Sequence, residues 1–394
     1  MTVTAVQNEA RHIASSLLAR NEVSEAFFVR EAPRLATLSQ EMAERFLRGG
    51  RLLAFGRGAS ATDAQHVSVE FVHPVIVGKR ALPALDLSMS FQQWAPAICR
   101  PDDIVFGFAP PSGDGEISAV IAQLRRTGAL TVALSGSDAD YSLDSPSPDG
   151  FIHQEIIEIL YHTLWETVHV FLEHRELGHE VGEAGFLYPF LGNAKQDVSA
   201  MVADVATSIR AKARDVESLR ATVAETQAEL IAHTVHAIRR RIAAGGKLIL
   251  FGNGGSATDA NDWALDCIAP PGGYLPIPAI SLSMEPANIT AIANDVGADV
   301  IFLRQLIAHA SAGDVAVALS TSGGSANITA ALAEARKRNV LTVALLGYDG
   351  GEVVRRGLAD FAIVVASDYI PRIQEVQASI YHVMREAIGI ADRG

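Results

Sequence analysis

The chain has 394 residues, 49% of them hydrophobic and 20% charged, a composition that fits two or three folded domains and excludes a disordered chain. Against 32 basic residues stand 45 acidic ones, a formal charge of −13; so acidic a surface repels a phosphate backbone and disfavours general nucleic-acid binding. Cys99 and Cys267 form neither a CxxC pair nor a zinc-type cluster and suit a reducing compartment. The start, MTVTAVQNEARHIASSLL, lacks a basic segment followed by an apolar one, and no apolar run approaches the roughly 18 residues of a membrane span. The expectation is a cytoplasmic protein that is neither secreted nor membrane-spanning.

Taken in chain order, the elements come twice. A long helical stretch runs to Arg48. GGRLLAFGRGASATDA, Gly49 to Ala64, then reads as an apolar strand, a glycine turn and the start of a helix that continues to EFV. Strand IVFGF, helix GEISAVIAQLRRTG and strand LTVAL follow, and a helix from Ile152 to His174 closes the copy. GHEVGEAGFLYPFLGN, Gly178 to Asn193, carries glycines and a proline without helical period, so a boundary is expected there. Beyond it a helical stretch from Ala194 to Ala244 leads into GGKLILFGNGGSATDA, Gly245 to Ala260. SLSM (Ser281–Met284) answers DLSM (Asp86–Met89), LTVALLGYD (Leu341–Asp349) answers LTVALSGSD (Leu130–Asp138), and a helix from Ile370 to Ile390 closes the second copy. The period far exceeds that of a solenoid. It predicts two tandem domains, residues 1–180 and 194–394. Unbroken apolar strands alternating with amphipathic helices predict an α/β fold, a doubly wound three-layer α/β/α sandwich in each copy with flanking helices.

Two kinds of motif bear on chemistry. STSGGS, Ser320 to Ser325, follows the strand VAVAL and precedes a helix, where free backbone N–H groups, hydroxyls and the helix dipole favour an anion; an ordinary Ser/Thr cap is the plainer alternative. FGNGGSATDA, with Asn253, Gly254, Gly255 and Ser256, adds a second glycine-rich turn in the same copy. In the first copy, His66 and Glu70 share a helix face, and Gln154 and His162 lie about two turns apart on the closing helix. Singly these are solvated or hydrogen-bonded side chains; together, if the helices converge, they offer the N and O donors that zinc accepts.

GNGGSATDA (Gly252–Ala260), NITAIANDVGADVIFLRQ (Asn288–Gln305), STSGGSANI (Ser320–Ile328), VALLGYDGG (Val343–Gly351) and RIQEVQASIYH (Arg372–His382) closely resemble the sugar isomerase (SIS) domain of phosphoheptose isomerases. The first half resembles it through GRGASATDAQHVSVE (Gly56–Glu70) and HQEIIEILYH (His153–His162). The resemblance implies a five-stranded parallel sheet per copy and isomerisation of sedoheptulose 7-phosphate to D-glycero-D-manno-heptose 7-phosphate through a cis-enediol. It also implies zinc on His66, Glu70, Gln154 and His162, and no nucleotide cofactor. By the same resemblance Glu70 is the base and His162 the acid. The sugar phosphate falls to Asn253, Gly254, Gly255, Ser256, Asn294, Asp295, Ser320, Thr321, Ser322, Ser325 and Gln374. A tandem chain of a family that assembles as tetramers resembles a covalent dimer, hence an expected homodimer of four SIS domains.

The departures are complementary. The second copy has Asp262 and Asp266 where the family has its metal-binding His and Glu, although Gln374 and His382 match. The first copy keeps all four metal-type residues. Its counterparts of Ser320, Thr321, Ser322 and Ser325, however, are Ala109, Pro110, Pro111 and Asp114; it has Arg57 for Asn253 and lacks the Asn294–Asp295 segment. Two prolines remove donors and Asp114 repels phosphate. The expectation is an isomerase whose working site joins the phosphate loops of the second copy to the His66/Glu70 face of the first, within one chain or between two. The alternatives are a non-catalytic sugar-phosphate-binding protein with a regulatory or assembly role, and an isomerase of another phosphosugar. A carboxylate bound to zinc is a weaker base, a tension that the sequence leaves open.

Overall fold

The structure, a computed structural model, describes residues 3–76, 78–177 and 198–389. Each repeat builds one parallel sheet. In the first, strands β1 (Leu52–Gly56), β2 (Ala84–Asp86), β3 (Ile104–Phe108), β4 (Leu130–Leu134) and β5 (Tyr141–Leu143) lie in the order β2-β1-β3-β4-β5. In the second, β6 (Leu248–Gly252), β7 (Ala279–Ser281), β8 (Val315–Ser320), β9 (Leu341–Gly347) and β10 (Phe361–Val365) lie as β7-β6-β8-β9-β10, the same order. Leu52 pairs with Ile104 and Leu248 with Val315 in parallel register. Two five-stranded parallel sheets are the α/β architecture that the alternation implies.

The unbroken apolar runs have a physical cause: β1, β3, β4, β6 and β8 are buried at every residue, as strands covered on both faces must be. Leu53, Phe55, Val105 and Ala133 pack against α3 (Phe91–Ile98) and α4 (Gly115–Arg125). Their alternate neighbours Leu52, Ala54, Ile104 and Phe106 are equally buried and belong to the opposite face. Helix α2 (Ser60–Val72) packs on β1 and on α5 (Gly150–Leu177). In the second repeat α8 (Gly255–Ile268) packs likewise on β6 and on α13 (Ile370–Gly389). The strand-to-helix turns demand glycine in both copies, since a Cβ on Gly56 or Gly252 would meet the carbonyl oxygen of Ser60 or Ser256 at 2.2 Å.

By compactness the chain falls into two units, Glu22–Asp215, and Met1–Asn21 with Val216–Gly394. The divisions cut through α1 (Val3–Leu47) and α6 (Val198–Thr226), so each of these helices gives a segment to both units. Inside the second unit Arg20 pairs with Glu386 of α13 at 2.9 Å, and Glu9 with Arg239 of α7 (Ala228–Ala243) at 2.6 Å. Inside the first, Lys212 of α6 pairs with the buried Glu166 of α5. The segment Gly178–Asn193, where a boundary is expected, lies outside the described residues. Among the described residues no helix is long and apolar enough to cross a membrane.

Candidate active site

The two helices of the first repeat that carry metal-type residues converge. His66 of α2 and His162 of α5 face one another with their Nε2 atoms 3.3 Å apart, and Glu70 places Oε1 3.8 Å from His66 Nε2. All three side chains are at most 2% exposed. Two imidazole nitrogens at that separation suit one tetrahedral zinc, for which Zn–N bonds of about 2.0–2.1 Å set neighbouring nitrogens about 3.3 Å apart. Gln154 is turned toward the start of α2, where its amide nitrogen donates to Ala59 O at 3.2 Å and Thr62 Oγ1 at 3.3 Å. A residue absent from the expected set joins the cluster: Glu158, 3% exposed, whose donor atom and those of His66 and His162 all lie within 4.8 Å of one another. Its signal is in the sequence, because Glu158 sits one turn after Gln154 and one turn before His162 on a single face.

In the second repeat the loops expected to take an anion stand side by side. Asn253 and Asn327 exchange paired amide bonds of 3.0 and 2.9 Å, tying the β6–α8 turn to α11 (Ala326–Lys337). Ser320 Oγ accepts from Gly323 N at 3.1 Å and Ser322 Oγ from Gly324 N at 3.2 Å, so these hydroxyls shape the turn. Thr321 fixes it from below by accepting Gly347 N at 2.9 Å through its carbonyl. Gly323 has a φ of +59°, and a Cβ there would stand 2.2 Å from Gly350 O. Ser325 holds the N-cap position of α11 but its side chain caps no amide. Gly254 and Gly255 open α8 with Ser256 buried behind them. Asn294 and Asp295 end α9 (Pro286–Asp295), exposed and joined by a 2.8 Å bond.

The equivalent helix of the first repeat is capped from within the chain. Asp114, the N-cap of α4, accepts from Glu116 N at 2.8 Å and Ile117 N at 3.1 Å, so a carboxylate already satisfies the amides an anion would seek. Arg57 pairs with Glu116 at 2.8 Å and lies 3.7 Å from Asp114. His153, bonded to Ser145 and Ala109 O, is pushed down to about 4 by burial and stays neutral at physiological pH.

Where the first repeat has His66 and Glu70, the second buries Asp262 and Asp266 against a single imidazole. His382 Nε2 lies 3.4 Å from Asp262 Oδ2 and 3.2 Å from Asp266 Oδ2, and Tyr381 donates to Asp262 at 2.8 Å. Burial first, then the charge of Asp262, push Asp266 up to about 7. Gln374 is 3% exposed on the same helix as His382.

Residues 213–347 match the model of the SIS domain. The phosphoheptose isomerase of Pelobacter propionicus is 38% identical over 192 residues, 48% of this chain and 97% of that protein. The chain belongs to the phosphoheptose isomerase family. The enzyme of that name from Sulfurimonas denitrificans is 46% identical over 143 residues, 36% of this chain and 72% of its own length. Among solved structures, the C-terminal domain of glucosamine-fructose-6-phosphate aminotransferase from Francisella tularensis aligns over 95% of this chain and 94% of its own. Its TM-score is 0.65 at 8% identity, a likeness of fold alone. The family's sequence likeness to single enzymes thus spans about half of the chain, in keeping with a sheet in each repeat.

Proposed function

We propose that this isomerase interconverts sedoheptulose 7-phosphate and D-glycero-D-manno-heptose 7-phosphate through a cis-enediol. The observation that carries the reading is the buried His66–His162 pair at 3.3 Å with Glu70 alongside. Aldose–ketose exchange needs a base for the proton next to the carbonyl and a second group that moves a proton between the two oxygens. Glu70 takes the first role. His162, an imidazole able to give and accept a proton near neutral pH, takes the second. Zinc held by the imidazoles and a carboxylate of this cluster would polarise the sugar carbonyl. The phosphate falls to the second repeat, where the amides opening α11 carry no side-chain cap from Ser325 and the helix N-terminus favours negative charge. In the first repeat Asp114 already fills that role.

Deuterium uptake tests this. Zinc-supplemented protein in D2O with sedoheptulose 7-phosphate is expected to place deuterium on the carbon next to the carbonyl. Glu70→Gln in the first repeat and Ser322→Ala in the second should each slow the uptake, Glu70→Gln by the roughly 10²–10⁴-fold of general-base catalysis. Uptake undiminished in either variant would break the division of labour. Ligand shifts without uptake would make the chain a sugar-phosphate sensor.

A further inference from the structure

We infer that the first repeat binds an uncharged polyhydroxylated ligand, a sugar or polyol without phosphate, in a cavity of about 450 Å³ between the loops that follow β3 and β4 and the segment after β5. The volume lies within the range of small-molecule sites. Ser112, Asp114, Ser135, Ser137, Asp144 and Ser145 line it, and no lysine, arginine or histidine is among the described residues that do. Ser135 carries the argument: it is 6% exposed, and its buried hydroxyl has no hydrogen-bond partner. A buried hydroxyl left unpaired is costly, and a ligand seated in the cavity supplies the partner.

The second repeat shows what Ser135 replaces. Aligning LTVALSGSD with LTVALLGYD sets Ser135 opposite Leu346, which is fully buried in the apolar core of that repeat. There Gly347 N donates to Thr321 O at 2.9 Å and Val353 N to Gly323 O at 3.1 Å, so the two loops close on each other. In the first repeat Pro110 and Ser137 stand opposite Thr321 and Tyr348, and the loops border open space instead. Three features choose the ligand. Carboxylates at Asp114 and Asp144 repel phosphate. The charge of Asp114 is already engaged by Glu116 N and Ile117 N, at 2.8 and 3.1 Å, and by Arg57 at 3.7 Å, while Asp144 is exposed, which leaves a cation only a solvated partner. Serine hydroxyls donate or accept and carboxylates accept, the complement that a chain of sugar hydroxyls needs.

Saturation-transfer NMR on the full-length protein tests this with two probes, D-mannose and unphosphorylated sedoheptulose, each in the presence of saturating sedoheptulose 7-phosphate so that the isomerase site is occupied. At least one of the two sugars is expected to receive saturation. Ser135→Leu, which installs the residue of the second repeat, should abolish the transfer. Ser135→Ala, which removes the hydroxyl with little change of volume, should weaken binding roughly 2–10-fold. Far-UV circular dichroism identifies a Ser135→Leu chain that has not folded, and Ser135→Ala then decides. No transfer to either sugar in the parent chain, or transfer undiminished in either folded variant, would overturn the assignment. Transfer to ethanolamine, or ³¹P broadening of inorganic phosphate, that Ser135→Leu abolishes would overturn it too, by making the cavity a site for a cation or an anion. Deuterium uptake from sedoheptulose 7-phosphate should be the same in both variants as in the parent, a separate readout that keeps failure of this site distinguishable from failure of the isomerase reading.

Discussion

Asp266 makes a stability prediction of definite sign. The fold raises its carboxyl from 3.8 to about 7, chiefly through burial and then through Asp262, with His382 pulling the other way. Between those values the folded chain holds a proton that the unfolded chain has released. Stability attached to this group is therefore complete at low pH, falls as pH rises through the window from about 4 to 7, and is lost above it. The difference is about 3 units, and at about 1.36 kcal/mol per unit the ceiling is about 4 kcal/mol. His382 sits 3.2 Å away and opposes the rise, so the observable effect is on the order of 1–2 kcal/mol. Trp263 stacks on Tyr381 with centroids 5.4 Å apart, which puts a fluorophore beside the cluster. Urea unfolding followed by tryptophan fluorescence in chelator, at half-unit steps from pH 5 to 8, should give a wild-type curve that declines relative to that of Asp266→Asn. Parallel curves for the two proteins, or a relative gain for the wild type as pH rises, would refute the reasoning.

Gly323→Ala should remove sugar-phosphate binding while leaving zinc affinity intact, because the left-handed φ costs about 1–2 kcal/mol and the new Cβ, 2.2 Å from Gly350 O, displaces the turn; ³¹P line broadening of the substrate reads it, and undiminished broadening contradicts it. Asp114→Ala should lower the stability of the first unit by about 0.5–2 kcal/mol through loss of the α4 cap without slowing deuterium uptake. A large drop in uptake would show that this loop serves the reaction after all.

The strands were legible because LLAF, IVFGF and LTVAL are buried on both faces and show it as unbroken apolar runs. The edge strands Ala84–Asp86 and Tyr141–Leu143 were not, since three residues each carry no periodicity. Nor was the sharing of α1 and α6 between units: a helical period tells which face is covered and not what covers it. The pairing of His66 with His162 could be anticipated only as far as helix spacing allows, because convergence of α2 and α5 is a tertiary fact. Glu158 escaped for a different reason. It lies in a helix buried nearly all round, where a carboxylate stands out from apolar neighbours without announcing its partner.

The two repeats satisfy one backbone with opposite chemistry. At the helix following the third strand, Asp114 neutralises the amides with the chain's own carboxylate, whereas Ser325 leaves them uncapped by its side chain. In the helix-lined core the asymmetry reverses. The second repeat sets two carboxylates against one imidazole and the Tyr381 hydroxyl, with burial raising Asp266. The first buries two imidazoles with Glu70 and Glu158. Buried ionisable groups are weak contributors to stability and apolar residues of similar volume commonly do as well or better. Packing therefore gives no reason for four such side chains to meet at the junction of α2 and α5; the proton transfer and metal binding proposed above would give one, and such sites are where local rules of folding are expected to yield to function.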